Sequence, residues 1–95
     1  MGDMFSNCKN LISLDLSSFD TSNVTAMSFI FYQCTKLKKI DMRNFTFDKV
    51  TSANVMFSGI PNDCLIIVKG EIEKQWITSK FSFLTNIKTI AELEG

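Results

Sequence analysis

Leu11-Ile12-Ser13-Leu14-Asp15-Leu16-Ser17-Ser18-Phe19 is followed, 26 positions on, by Leu37-Lys38-Lys39-Ile40-Asp41-Met42-Arg43-Asn44-Phe45. Both stretches read Leu-x-x-apolar-Asp-apolar-x-x-Phe. Working outward, Phe5, Phe31 and Phe57 keep the same interval, and Cys8 with Cys34, Val24 with Val50 and Thr25 with Thr51 repeat it. Segments 4–29 and 30–55 share seven identities in 26 positions, where unrelated segments share roughly one or two. Leu14 and Leu16 flank Asp15, so the centre of each repeat alternates like a strand with one face inward. One such rung cannot bury its inner face alone; rungs stacked side by side bury a continuous column.

The spacing resembles the leucine-rich-repeat core, with Phe where Asn or Cys usually stands, and the period falls within the roughly 20–29 residues of that class. The expected fold is α/β: a short leucine-rich-repeat solenoid with a small parallel sheet and short helices on its convex side. Ser22 and Asp48 are placed as helix N-caps, with Val24, Met27 and Phe31 on an apolar helix face and Val50, Ala53, Val55 and Phe57 as the second set. The third rung, about 56–90, is atypical and reads as a helix/strand cap. Its turn cluster is Gly59-Ile60-Pro61-Asn62-Asp63, followed by an apolar strand, Leu65-Ile66-Ile67-Val68. Glu71 to about Lys80 is a longer helix, acidic at its start and basic at its end, with Ile72, Trp76 and Ile77 as its apolar face. Asn86-Ile87-Lys88-Thr89-Ile90 resembles Asn10-Leu11-Ile12-Ser13-Leu14 and is a candidate fourth strand. Residues 1–95 form a single domain. Met1-x-x-Met4-Phe5 matches Met27-x-x-Ile30-Phe31, so the chain opens inside a repeat. Upstream repeats are then expected, or self-association through the uncapped N-terminal rung.

Composition removes several function classes. Lys+Arg and Asp+Glu are both 10, which argues against a general nucleic-acid binder or a polybasic membrane-surface protein. The chain has no His, which excludes Ser-His-Asp and Cys-His catalysis and every His-ligated metal site. No Gly-rich phosphate loop or nucleophile motif occurs. No apolar run approaches the ~20 residues that span a bilayer, so no membrane insertion is expected, and no targeting signal is visible at the N-terminus. Three cysteines without a CxxC pair suit neither a disulfide scaffold nor a zinc ribbon. Cys8 and Cys34 sit on equivalent rungs, and free buried thiols are expected there rather than a disulfide.

Met4-Phe5-x-x-Cys8-x-x-Leu11-x-x-Leu14-Asp15-Leu16-Ser17-x-Phe19-Asp20-Thr21-Ser22-Asn23-Val24-Thr25-x-Met27 resembles the BspA-like leucine-rich repeat of bacterial surface proteins. The second repeat departs from it, with Ile30 for Met and Thr46-Phe47-Asp48-Lys49 for Asp-Thr-Ser-Asn. The ending, Cys64 to Lys69 followed by the helix bearing Trp76, is similar to the family's closing segment. The resemblance implies a secreted or cell-surface protein that adheres to host surfaces or matrix proteins. It implies no catalytic residues and no cofactor.

The candidate binding site is the outward face of the strands: Ser13, Asp15 and Ser17, then Lys39, Asp41 and Arg43, then Leu65, Ile67 and Lys69. Concave strand faces are where such repeats commonly hold partners. Asp15 and Asp41 stack one above the other. Two carboxylates cannot fill the six or more oxygen positions of a hard cation, so pairing with Lys39, Arg43 or neighbours is expected and no metal is assigned. Leu65 and Ile67 make an apolar patch beside Lys39 and Arg43 unless residues 81–95 fold over it; the residues leave both open. The expected function is a non-catalytic protein-binding or adhesion module. The alternative is a structural spacer that displays another domain, and an enzyme is the least expected.

Overall fold

The computed structural model describes Phe5 and residues 7–94. The element order is β1 (Ser13–Asp15), β2 (Lys39–Met42), β3 (Leu65–Val68), α1 (Glu71–Lys80), β4 (Ile87–Thr89) and α2 (Ile90–Glu94). The strands form one parallel sheet in the order β1-β2-β3-β4. The fold is therefore a small α/β unit with an open four-stranded parallel sheet and short helices. The pairing of Met1 and Met4 with the second repeat lies outside the described residues.

The sheet register follows the sequence period. Ser13 pairs with Lys39 and Lys39 with Leu65; Asp15 pairs with Asp41 and Asp41 with Ile67. Each step is 26 residues, so every identity noted above becomes a neighbour in space. β4 joins on a shorter step, Ile66 facing Ile87 and Val68 facing Thr89. Behind the sheet the phenylalanines stack: Phe5 on Phe31 at 6.2 Å and 10°, Phe31 on Phe57 at 5.6 Å and 24°. Offset stacking adds to what their burial contributes. Phe31, Leu37, Ile40, Phe45 and Phe57 are fully buried.

Between the strands the chain turns rather than coils, which corrects the expected convex helices at 22–31 and 48–57. Val24 N donates to Thr21 O, Ile30 N to Met27 O and Cys34 N to Phe31 O, all three-residue turns. Other donors leave the segment altogether: Met27 N reaches Ser52 O at 2.7 Å, Thr51 N reaches Thr25 O at 2.8 Å and Gln33 N reaches Ser58 O at 2.8 Å. A backbone donor used between rungs cannot also close a helical turn. Ser22 caps no helix; its N–H donates to Asp20 Oδ1, an Asx turn. Val24, Thr25 and the nearby Ser and Asn residues are weak helix formers, so little opposes this choice.

The far end of the stack is closed by α1. Trp76 stacks on Phe47 at 4.0 Å and 4°, and Phe57 meets Phe81 edge-on at 5.0 Å. Trp76 is thus a packing residue, as its place in the helix suggested. Ile72 is not: it is 77% exposed, and the buried positions of α1 are Glu73 and Ile77. The helix has a weakly divided surface, so a rotation that inserts Trp76 beside Phe47 carries Ile72 outward. Cys8, Cys34 and Cys64 are free; Cys34 and Cys64 are buried and Cys8 half-buried.

Candidate functional site

Period-2 alternation sends Ser13, Asp15, Lys39, Asp41, Leu65 and Ile67 to the sheet face opposite the core. Four of them, Ser13, Asp15, Lys39 and Asp41, line a shallow hollow of ≈ 110 Å³ with Leu14 at its floor. Ser17, Arg43 and Lys69 follow immediately after their strands. The structure thus gathers the first two rungs of the expected site into one surface.

The two aspartates use the same local device with different partners. Asp15 Oδ1 accepts from Ser17 Oγ at 2.6 Å and from Ser17 N at 3.0 Å. These bonds hold the Asp15 carboxyl below its ordinary value, side-chain hydroxyl first, with Arg43 and Lys39 adding charge attraction. Asp41 Oδ1 accepts from Arg43 N at 3.2 Å and Nε at 3.0 Å, while its Oδ2 accepts from Nη2 at 2.9 Å. A planar guanidinium grips a carboxylate in this two-pronged way. The hydrogen bonds from Arg43 to Asp41, then their charges, raise the pKa of Arg43. Asp41 is 8% exposed, so the pair is a fixed part of the surface. The Asn44 amide also donates to Ser17 O and ties the two rungs beside it. Lys39 is exposed, and among the described residues no ion pair engages it.

The third rung differs from expectation. Ile67 is buried and Leu65 half-buried, so no open apolar patch sits beside Lys39 and Arg43. Ile67 lies outside the main core cluster, on the opposite face, next to Asp41 and Lys88 in the register. The element placed to cover it is α2. Glu94 is near enough to Arg43 to act on its charge, which carries α2 from β4 back across β3 toward β2. Two contacts anchor that helix. Thr89 N donates to Glu92 Oε1 while Glu92 N donates to Thr89 Oγ1, a capping box. Lys74 Nζ then bridges both Glu92 oxygens at 2.9 and 3.1 Å.

A larger groove, ≈ 640 Å³, lies at the N-terminal ends of the strands and is lined by Ile12, Thr35, Lys36, Lys38, Pro61 and Asp63. Sequence reading passed over these residues. The period was the available signal, since it places Thr35 beside Pro61 and Ile12 beside Lys38. Ile12 is 56% exposed, an apolar side chain beside two lysines. Among the described residues no group of three or more His, Cys, Asp or Glu is placed to hold a metal ion. No helix among them is long and apolar enough to cross a membrane.

The arrangement is that of a recognition surface: fixed polar groups on a rigid parallel sheet, with the carboxylates engaged internally. The chain belongs to the family described as Mycoplasma protein of unknown function, DUF285, whose model matches residues 1–87. Comparison with curated proteins and with solved structures gives no match.

Proposed function

We propose that this chain is a non-catalytic protein-binding module, a short leucine-rich-repeat stack of the BspA-like type, carried by a secreted or cell-surface protein. The observation that carries the reading is the 26-residue register of β1, β2 and β3, which lays Ser13, Asp15, Lys39 and Asp41 on one open face. A partner chain docks across the first two rungs, with Ser13, Asp15 and Lys39 as exposed contacts and the Asp41–Arg43 pair as a fixed polar anchor. Leu65 and Lys69 form its margin, because α2 occupies the surface above Ile67.

Secretion and adhesion rest on the sequence resemblance. The test uses a panel of purified matrix proteins, immobilised, against the wild-type chain, Lys39→Glu, Asp15→Lys and a control, Lys49→Glu, in the turn after β2. Binding that is lost in the first two and kept in the control is expected. Binding untouched by both face variants overturns the site, and no binding to any surface favours the spacer reading.

A further inference from the structure

We propose that the β1 edge, with the apolar end of the stack behind it, is a self-association surface that takes a second copy of this chain, antiparallel, about a two-fold axis at Leu14. Equivalent residues of the first two rungs carry the argument. Phe31, Cys34, Leu37, Ile40 and Phe45 are 0% exposed. Their counterparts Phe5, Cys8, Leu11, Leu14 and Phe19 pack on the same core yet stay only half-buried. The residue types match, so what differs is the missing rung on one side. That end is therefore apolar and shaped to receive another rung.

The opposite end offers no such surface, because Trp76 and Phe81 cover Phe47 and Phe57, and β4 passes directly into α2. With one sticky end per copy, association closes at two chains rather than growing into a filament.

The backbone sets the register. Ile12 O accepts from Lys38 N at 2.7 Å and Leu16 N donates to Asp41 O at 2.9 Å. Both residues thus aim their peptide groups at β2, and alternation turns those of Ser13 and Asp15 toward the outer edge. Ser13–Asp15 holds no Lys and no Pro, two devices that protect an edge. With the two-fold at Leu14, Ser13 of each copy faces Asp15 of the other, and the four outward peptide groups pair. A hydroxyl then meets a carboxylate on both sides. Ser17 uses only Oδ1 of Asp15, so Oδ2 is the oxygen that the second copy's Ser13 reaches. Moving the axis to Asp15 would oppose two carboxylates directly, which is unfavourable. The axis runs perpendicular to the sheet, so both strand faces point the same way and one dimer offers two adjacent recognition surfaces.

The test is light scattering on the 95-residue chain across a concentration series, with Ser13→Asp and Ser13→Lys alongside. Wild type is expected to rise from one chain to two and stop. Ser13→Asp opposes two carboxylate pairs and weakens the dimer several-fold; Ser13→Lys creates two opposite-charge pairs and strengthens it several-fold, a gain that salt removes. Ser13 is exposed, and circular dichroism verifies that both variants fold. A monomer at every concentration overturns the proposal. Growth beyond two chains, or both variants shifting the equilibrium in the same direction, overturns it as well.

Discussion

The Thr21 hydroxyl does the work of a backbone residue for Thr46: Oγ1 donates to Thr46 O at 3.1 Å and accepts from Thr46 N at 3.0 Å. Thr21 is 2% exposed, so neither peptide group of Thr46 has water to turn to. Thr21→Val keeps the shape and removes both bonds. It should cost about 1–3 kcal/mol in urea unfolding, the usual penalty for an unpaired buried polar group, and Thr21→Ser should recover most of it. Equal stability of the Val variant and wild type would show that the two bonds add nothing.

The rungs are not equally sensitive to truncation. Ile40 is fully buried between two rungs, and Ile40→Ala should cost ~2–5 kcal/mol through the cavity it leaves. Leu14, its half-buried equivalent on β1, should lose well under that amount when changed to Ala. Denaturant midpoints at low protein concentration, where the chain is monomeric, check the order.

Gly59 sits at φ +87°, and a Cβ there would stand 2.9 Å from Gln33 Cα. The close approach is backbone against side-chain carbon, with no flexible tip to move aside. Gly59→Ala should lower stability by about 1–3 kcal/mol, the scale of a strained backbone position, whereas Gly70→Ala, whose nearest neighbour is the Glu73 carboxylate at 3.7 Å, should cost less. Thermal melts of the two variants make the comparison.

Acid should loosen the cover over Ile67. The N–H of Thr89, then the Lys74 ammonium, hold the Glu92 carboxyl down at about 2, against an ordinary 4.5. A carboxyl depressed in the folded state supports folding above its unfolded value, and that support fades as pH falls toward its folded value. Wild type should therefore melt higher than Glu92→Gln above about pH 4.5. The difference should shrink below that and vanish near pH 2. A gap constant across this window would dissociate Glu92 ionisation from stability.

The thiols should react in order of access. Burial, with a smaller push from Asp63, raises Cys64 to about 11, and burial also raises Cys34. Only the thiolate reacts readily, so Cys8, half-buried, should be alkylated first by a neutral-pH thiol reagent. Peptide mass mapping after partial labelling reads this directly.

Much of this architecture was legible because it is periodic. The 26-residue spacing of Phe5, Phe31 and Phe57 became a ring stack, and the alternation around Asp15 and Asp41 became paired strands. Leu65–Val68 and Glu71–Lys80 took the bounds that their turn residues and end charges marked. The segments between strands misled because a 3, 4 spacing of apolar residues fits a turning rung as well as a helix. Rung-to-rung hydrogen bonds decide between them, and no local pattern records those. Ile72 was misplaced for a related reason: α1 is oriented by Trp76 against Phe47, a residue 29 positions earlier. The covering of Ile67 depends on how α2 folds back, which the repeat does not encode. At the site, the Asp41–Arg43 pair was among the partners expected, whereas the groove at Lys36 and Lys38 emerges only once neighbouring rungs are laid side by side.

Trp76 and Phe81 come later in the chain than every aromatic ring they cover. Translation proceeds from the N-terminus at about 5–20 residues per second. Phe47 and Phe57 therefore leave the ribosome while the residues that shield them are still inside its tunnel. A nascent chain stalled before Trp76 exposes the wet end of an otherwise formed column, and it belongs with the truncated products that chaperones must hold.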